Sequence, residues 1–117
     1  MKRNKSRLIV RRGLENIALK VEEVACIYTE NKVIFVIDNN EKKYIYDKNL
    51  SELCHELDGN LFFRANRQYI VNINYIRGFK PFERVKLLVS LNLPTVAHQI
   101  VVSQETAPLF KKWIYEE

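Results

Sequence analysis

Short runs of β-branched and aromatic residues recur along this chain about every ten residues, each closed by a turn signal. The runs are Leu8–Val10, Leu14–Leu19, Cys26–Tyr28, Val33–Ile37, Lys42–Tyr46, Tyr75–Phe79, Val85–Val89 and Ile100–Val102. Between them stand Arg12-Gly13, Glu30-Asn31-Lys32, Asp38-Asn39-Asn40-Glu41, Lys80-Pro81-Phe82-Glu83 and Ser90-Leu91-Asn92, all rich in turn formers. Such spacing leaves little room for βαβ crossovers, which need a dozen or more residues each. It predicts a mainly β sandwich or barrel. At 117 residues, with no internal repeat and no Pro/Gly/Ser-rich linker, the chain is expected to form one domain around a modest core.

Two segments break the period. In NLSELCHELDG, Leu50, Leu53, Cys54 and Leu57 follow the i, i+3, i+4, i+7 spacing of one helix face. Asn49 with Glu52 three residues on makes a capping box, and Asp58-Gly59 supplies the stop. Near the C-terminus Leu109, Phe110, Trp113 and Ile114 form a second apolar stripe, with Ser103 or Thr106 available as cap and Pro108 admissible only in the first turn. One helix in the middle and one at the end are therefore expected, both covering the open face of a sheet, with Trp113 as a core plug. Cys26 and Cys54 fall at apolar positions and are expected reduced and packed. Neither shares a ligand spacing with His55 or His98, so no metal and no cofactor is implied.

Several function classes find no support. No apolar run approaches the roughly 18 residues of a membrane span. The start, Met-Lys-Arg-Asn-Lys, has no apolar stretch behind it and does not read as a secretory signal, so a cytoplasmic address is expected. Ser51 and Ser103 lie in no nucleophile elbow. Glu22, Glu23 and Asp47 have no paired setting, and three glycines build no phosphate-cradling loop. The chain is not expected to be an enzyme or to take a small-molecule substrate.

Charge is segregated. Residues 1–12 carry six cations (Lys2, Arg3, Lys5, Arg7, Arg11, Arg12) and no acid, while residues 60–86 carry six cations and only Glu83. Residues 13–59 are net acidic. A polyanionic partner fits this asymmetry. The second basic region contains FFRANRQYIVNINYI, from Phe62 to Ile76. Arg bridges two acceptors on guanine, and Asn or Gln both donates to and accepts from adenine, the pairings that read the DNA major groove. Arg64, Asn66, Arg67 and Gln68 place that set within five residues, and a turn around Asn66 to Gln68 would aim them together. Arg64 is read either as a contact or as framework paired with an acid such as Glu56. Asn72 is expected to bond backbone. Secondary contacts are assigned to Asn31, Lys32, Gln104, Lys80 and Arg84, while Lys111 and Lys112 are read as solvating the last helix. Two other readings stand beside duplex binding: a protein-interaction module with a basic face, and an RNA or single-strand binder.

Order, spacing and motif together resemble the LytTR DNA-binding domain of LytR/AlgR-type bacterial response regulators. The residues that carry the likeness are FFRANRQYIVNINYI, the capped helix NLSELCHEL before it, the hairpin IYTENKVIFVIDNNEKKYIY and the late IVVSQ. The resemblance spans roughly Leu8 to Ile114. It implies an elongated, mostly β fold whose loops enter successive major grooves of promoter DNA and bend the duplex, without a recognition helix. By position it assigns Asn31 and Lys32 to one contact, Asn66, Arg67 and Gln68 to the central one, and Gln104 to a third. Family members commonly show His-Arg-Ser where this chain has Asn66-Arg67-Gln68, and Arg where Gln104 stands, so the base preference does not transfer. A receiver domain usually precedes such a module in two-component systems. The expectation is a stand-alone regulator or a piece of a longer one, with residues 1–7 a basic arm or linker remnant and 8–117 the domain. A homodimer on repeated half-sites is the expected assembly.

Overall fold

The computed structural model of the protein describes residues 5–93 and 99–116. His98 and the arm residues Lys2 and Arg3 lie outside them. Among the described residues ten strands form two open antiparallel sheets. The strands are β1 (Arg7–Arg12), β2 (Glu15–Lys20), β3 (Val24–Glu30), β4 (Val33–Asp38), β5 (Lys43–Tyr46), β6 (Phe62–Arg64), β7 (Tyr69–Asn72), β8 (Ile76–Phe82), β9 (Lys86–Leu91) and β10 (Gln99–Val102). The larger sheet runs β2-β1-β5-β4-β3-β7-β6 and the smaller β10-β9-β8. Helix α1 (Leu50–Glu56) precedes β6, and α2 (Ala107–Tyr115) ends the chain. No helix among the described residues is long and apolar enough to cross a membrane.

Strand β3, an interior strand of the large sheet, explains the layering. Its sequence VACIY is buried along its length, as a strand covered on both faces requires. Strict alternation fails at one point, where the β3–β4 register shifts between Val24 and Cys26. This bulge lets Ala25 and Cys26 both join the second core while Val24 and Ile27 join the first. In the first core, Leu50, Leu53 and Leu57 from α1 and its C-terminal end meet Leu8, Val36 and Ile70 of the large sheet. In the second, the small sheet and α2 contribute Val89, Ile100, Val102 and Phe110, which meet Cys26 and Val71. The result is a flattened body of 44 × 38 × 24 Å.

Local chemistry sets the turns. Asn31 and Lys32 join β3 to β4 with φ of 51° and 68°, the left-handed pair that a tight two-residue hairpin needs. After β4 the Asp38 carboxylate accepts from the amides of Asn40 and Lys42 and from the Tyr44 hydroxyl at 2.8 Å, which satisfies a buried acid. Asn49 caps α1 by accepting from the Glu52 amide at 2.7 Å. Asn72, fully buried, donates to the Val24 carbonyl and accepts from the Asn74 amide, the structural role expected of it. That second bond opens a short 3₁₀ turn, Ile73–Tyr75, which sequence periodicity did not reveal.

Three readings need correction. Lys80-Pro81-Phe82 is not a turn: β8 continues to Phe82, and the reversal is made by Glu83 and Arg84, with φ of 43° and 66°. Pro81 is tolerated there because β8 is an edge strand. Glu56 does not pair with Arg64; its carboxylate meets the Lys5 ammonium at 3.2 Å, and Lys5 N–H donates to the Glu56 carbonyl. Ser90-Leu91 is not a turn either: β9 runs on through Leu91 and the bend falls at Asn92. Trp113, as expected, packs against the second core on Phe63 and Phe110, partly buried, and its indole N–H donates to the Gly59 carbonyl at 2.8 Å. Both cysteines are free; burial in the second core pushes the Cys26 thiol up to about 12.

Candidate nucleic-acid interface

The motif that the sequence singled out folds as a hairpin, β6 and β7, with Ala65 to Gln68 as its tip. Its apolar residues explain why the tip stands out from the body. Phe62 and Ile70 enter the first core, while Ala65 and Val71 enter the second. The polar residues between them are left at the end of the sheet. There they separate into two kinds.

Asn66 and Arg64 turn inward. The Asn66 amide nitrogen donates to the Val101 carbonyl of β10 at 2.6 Å, and its oxygen accepts from the amides of Gln68 at 2.7 Å and Tyr69 at 2.9 Å. One side chain thus closes the loop on itself and ties it to the small sheet. The Arg64 guanidinium donates to the carbonyls of Asn66 at 3.3 Å and Arg67 at 3.0 Å, and to the Ser51 hydroxyl of α1 at 3.0 Å. Arg67 and Gln68, by contrast, are exposed.

The loop forms one wall of an open groove of ≈ 730 Å³. Ser103, Gln104, Glu105 and Thr106, the turn between β10 and α2, form the other, and Lys86 joins from the start of β9. Pairing of Leu87 with Val102 brings Lys86 beside that turn. Of the residues expected at a binding site, Arg64, Asn66, Arg67, Gln68 and Gln104 therefore meet in one place. Lys86 and Glu105 were missed; Lys86 carries no local signal, because only strand register places it there. Among the described residues lining this groove none is aromatic.

The other expected contacts fall on either side. Arg84 lines an adjoining hollow with Lys86, Gln104 and Lys111, so Lys111 faces this region as well as the solvent. Lys80 is exposed on β8. Asn31 and Lys32 lie outside the groove, Lys32 lining a separate hollow with Arg11, Asp47 and Lys48. The hairpin tip nevertheless emerges at the same end of the sheet. Thr29 N–H donates to the Gln68 carbonyl at 3.0 Å, and Asn31 lies two residues further on, about 7 Å along the strand direction. The Thr29–Gln68 and Asn66–Val101 bonds tie the central loop to β3 on one side and to β10 on the other. Beneath them Tyr28 and Tyr69 stack at 5.3 Å, and burial pushes the Tyr69 phenol up to about 12.

The arrangement is that of an open, mainly β domain whose loops present cations and amides around one groove. The LytTr DNA-binding domain family model matches residues 15–115, and the chain belongs to that family. DNA binding is the function that the family's description carries. The fold is that of the LytTr DNA-binding domain of a protein described as a methyl-accepting/DNA response regulator from Bacillus cereus. The two superpose with a TM-score of 0.83 at 24% identity, over 95% of this chain and 98% of that one. The transcriptional regulatory protein YpdB of Escherichia coli K12 is 25% identical over 99 residues, which cover 85% of this chain and 39% of that protein. The Shigella flexneri protein of the same name matches to the same extent. The chain thus spans about two-fifths of the length of these relatives.

Proposed function

We propose that this chain reads double-stranded promoter DNA sequence-specifically, through loops placed in major grooves. The observation that carries the reading is the meeting of two segments, Arg67-Gln68 and Gln104, across one open groove that also holds Lys86. Arg67 supplies the guanine-type fork, and Gln68 and Gln104 supply adenine-type amides. Lys86 and the flanking Arg84 and Lys80 supply phosphate contacts, which hold register without reading sequence. Asn66 shapes the loop. Asn31 and Lys32 reach a second stretch of the duplex. The 44 Å length of the domain exceeds the roughly 34 Å of one helical turn, so a single chain is long enough to address successive major grooves.

Duplex is favoured over single strands because the described residues lining the groove offer no aromatic platform on which splayed bases would stack. A protein partner is less well served by a groove lined with long polar side chains and few apolar ones. By analogy with the regulators it resembles, the chain serves as the effector module of a response regulator in the cytoplasm, two copies binding repeated half-sites. The test is a gel shift with promoter fragments at moderate salt under competition. Duplex of matching sequence should compete well, and random duplex, single strands and RNA poorly. Equal competition by single strands or RNA would overturn the duplex reading, and no shift at any salt would point to a protein partner.

A further inference from the structure

We infer that Arg64 is a positioning residue for base reading: its guanidinium, braced on Ser51, holds the backbone that aims Arg67. The inference rests on the DNA-reading function proposed above. Arg64 lies in the stretch richest in groove-reading side chains, and its charge alone would make it a phosphate ligand. Its geometry argues otherwise. Three of its five N–H groups are engaged inside the protein, on the carbonyls of Asn66 and Arg67 and on the Ser51 hydroxyl. Turning the fork toward a phosphate would forfeit all three.

What the fork joins gives the role its content. Ser51 sits in the first turn of α1, whose Leu50 and Leu53 are buried in the first core. The bond to the Arg67 carbonyl fixes the peptide plane at the residue that projects toward DNA. Arg64 thus ties the loop to the α1 side of the large sheet, while the Asn66–Val101 bond ties it to the small sheet on the other side. The tip is held between two layers of the fold, and its aim is defined before DNA arrives. Such preorganisation is what converts an exposed arginine into a discriminating one.

A lysine at position 64 separates the two roles, because it keeps the charge but replaces the planar fork by a single compact ammonium. The probes are a duplex enriched by the wild-type chain from a random-sequence pool and a scrambled duplex of equal length. Affinities for both are measured across a salt series for the wild type, Arg64→Lys, Arg64→Ala and Ser51→Ala, with urea unfolding to verify folded protein. Both Arg64 variants should lose roughly tenfold of the enriched-to-scrambled ratio, the scale of one misaimed bidentate contact. Ser51→Ala should lose about threefold, since it removes one brace of three. The slope of log affinity against log salt should not change. If Arg64→Ala does not fold, Arg64→Lys and Ser51→Ala carry the test. Retained discrimination in Arg64→Lys would overturn the inference. So would a slope shallower by about one in Arg64→Ala, the mark of a lost phosphate contact. A wild-type chain that enriches no motif would refute DNA reading itself and the brace with it, a result distinct from either of these.

Discussion

Replacing Asn66 by Ala tests whether the central loop is built or merely present. The substitution removes three hydrogen bonds: one from the amide nitrogen to Val101, and two that the oxygen accepts from Gln68 and Tyr69. A bond of this kind contributes about 0.5–1.5 kcal/mol net. The loss should therefore be roughly 2–3 kcal/mol, a Tm lower by roughly 10 °C for a domain of this size. The freed loop must then be ordered again on DNA. Fixing one backbone residue costs about 1–2 kcal/mol, so affinity for a preferred duplex should fall at least about tenfold. Urea unfolding and a gel shift on the same preparation measure both effects. Asn66→Asp sharpens the result, because a carboxylate still accepts from Gln68 and Tyr69 but cannot donate to Val101. It should recover part of the stability while its negative charge keeps DNA binding weak. Full stability in Asn66→Ala together with a sequence-specific loss of binding would refute the reasoning, since the amide would then be facing bases.

Arg67→Ala should cost about 1–3 kcal/mol on a preferred duplex and much less on random DNA, with stability unchanged; equal losses on both would make Arg67 a phosphate contact. Lys86→Ala should reduce the salt slope by about one and leave discrimination intact, measured by titration at several salt concentrations. Cys54, only partly buried, should react with a thiol reagent at pH 8 well before Cys26, which is buried and has its thiol pushed up to about 12. Tyr44 and Tyr69 are likewise raised from 10.0 to about 12, so the folded state holds these protons more tightly than the unfolded chain does. That stability is complete below pH 9 and should be lost as pH climbs from about 9 to about 12, seen as a falling urea midpoint.

Eight of the ten described strands were legible in the sequence because β-branched and aromatic runs between turn residues leave the backbone few choices, as at Asn31-Lys32; β6 and β7, short and interrupted by the polar tip, were not among the runs. The middle helix was legible for the same kind of reason: Asn49 and Leu50, Leu53 and Leu57 encode cap and face locally. The site was only half legible. Its chemistry, Arg-x-Asn-Arg-Gln, is written in one stretch, but the direction of each side chain is decided by distant partners. The Asn66 acceptor lies 35 residues away on β10 and the Arg64 partner Ser51 lies 13 residues away on α1. Lys86 reaches the groove only through the pairing of β9 with β10, which no local pattern declares. The turn assigned to Lys80-Pro81 failed because proline ordinarily marks a reversal, yet on an edge strand its missing N–H costs nothing.

Dimethyl sulfate protection on an enriched duplex tests the central claim most directly, since the reagent marks guanine N7 in the major groove. The account predicts protected guanines in two clusters about one helical turn apart, with the cluster under the Arg67–Gln104 groove lost in Arg67→Ala. Unprotected guanine N7 positions beneath a tightly bound protein would contradict it.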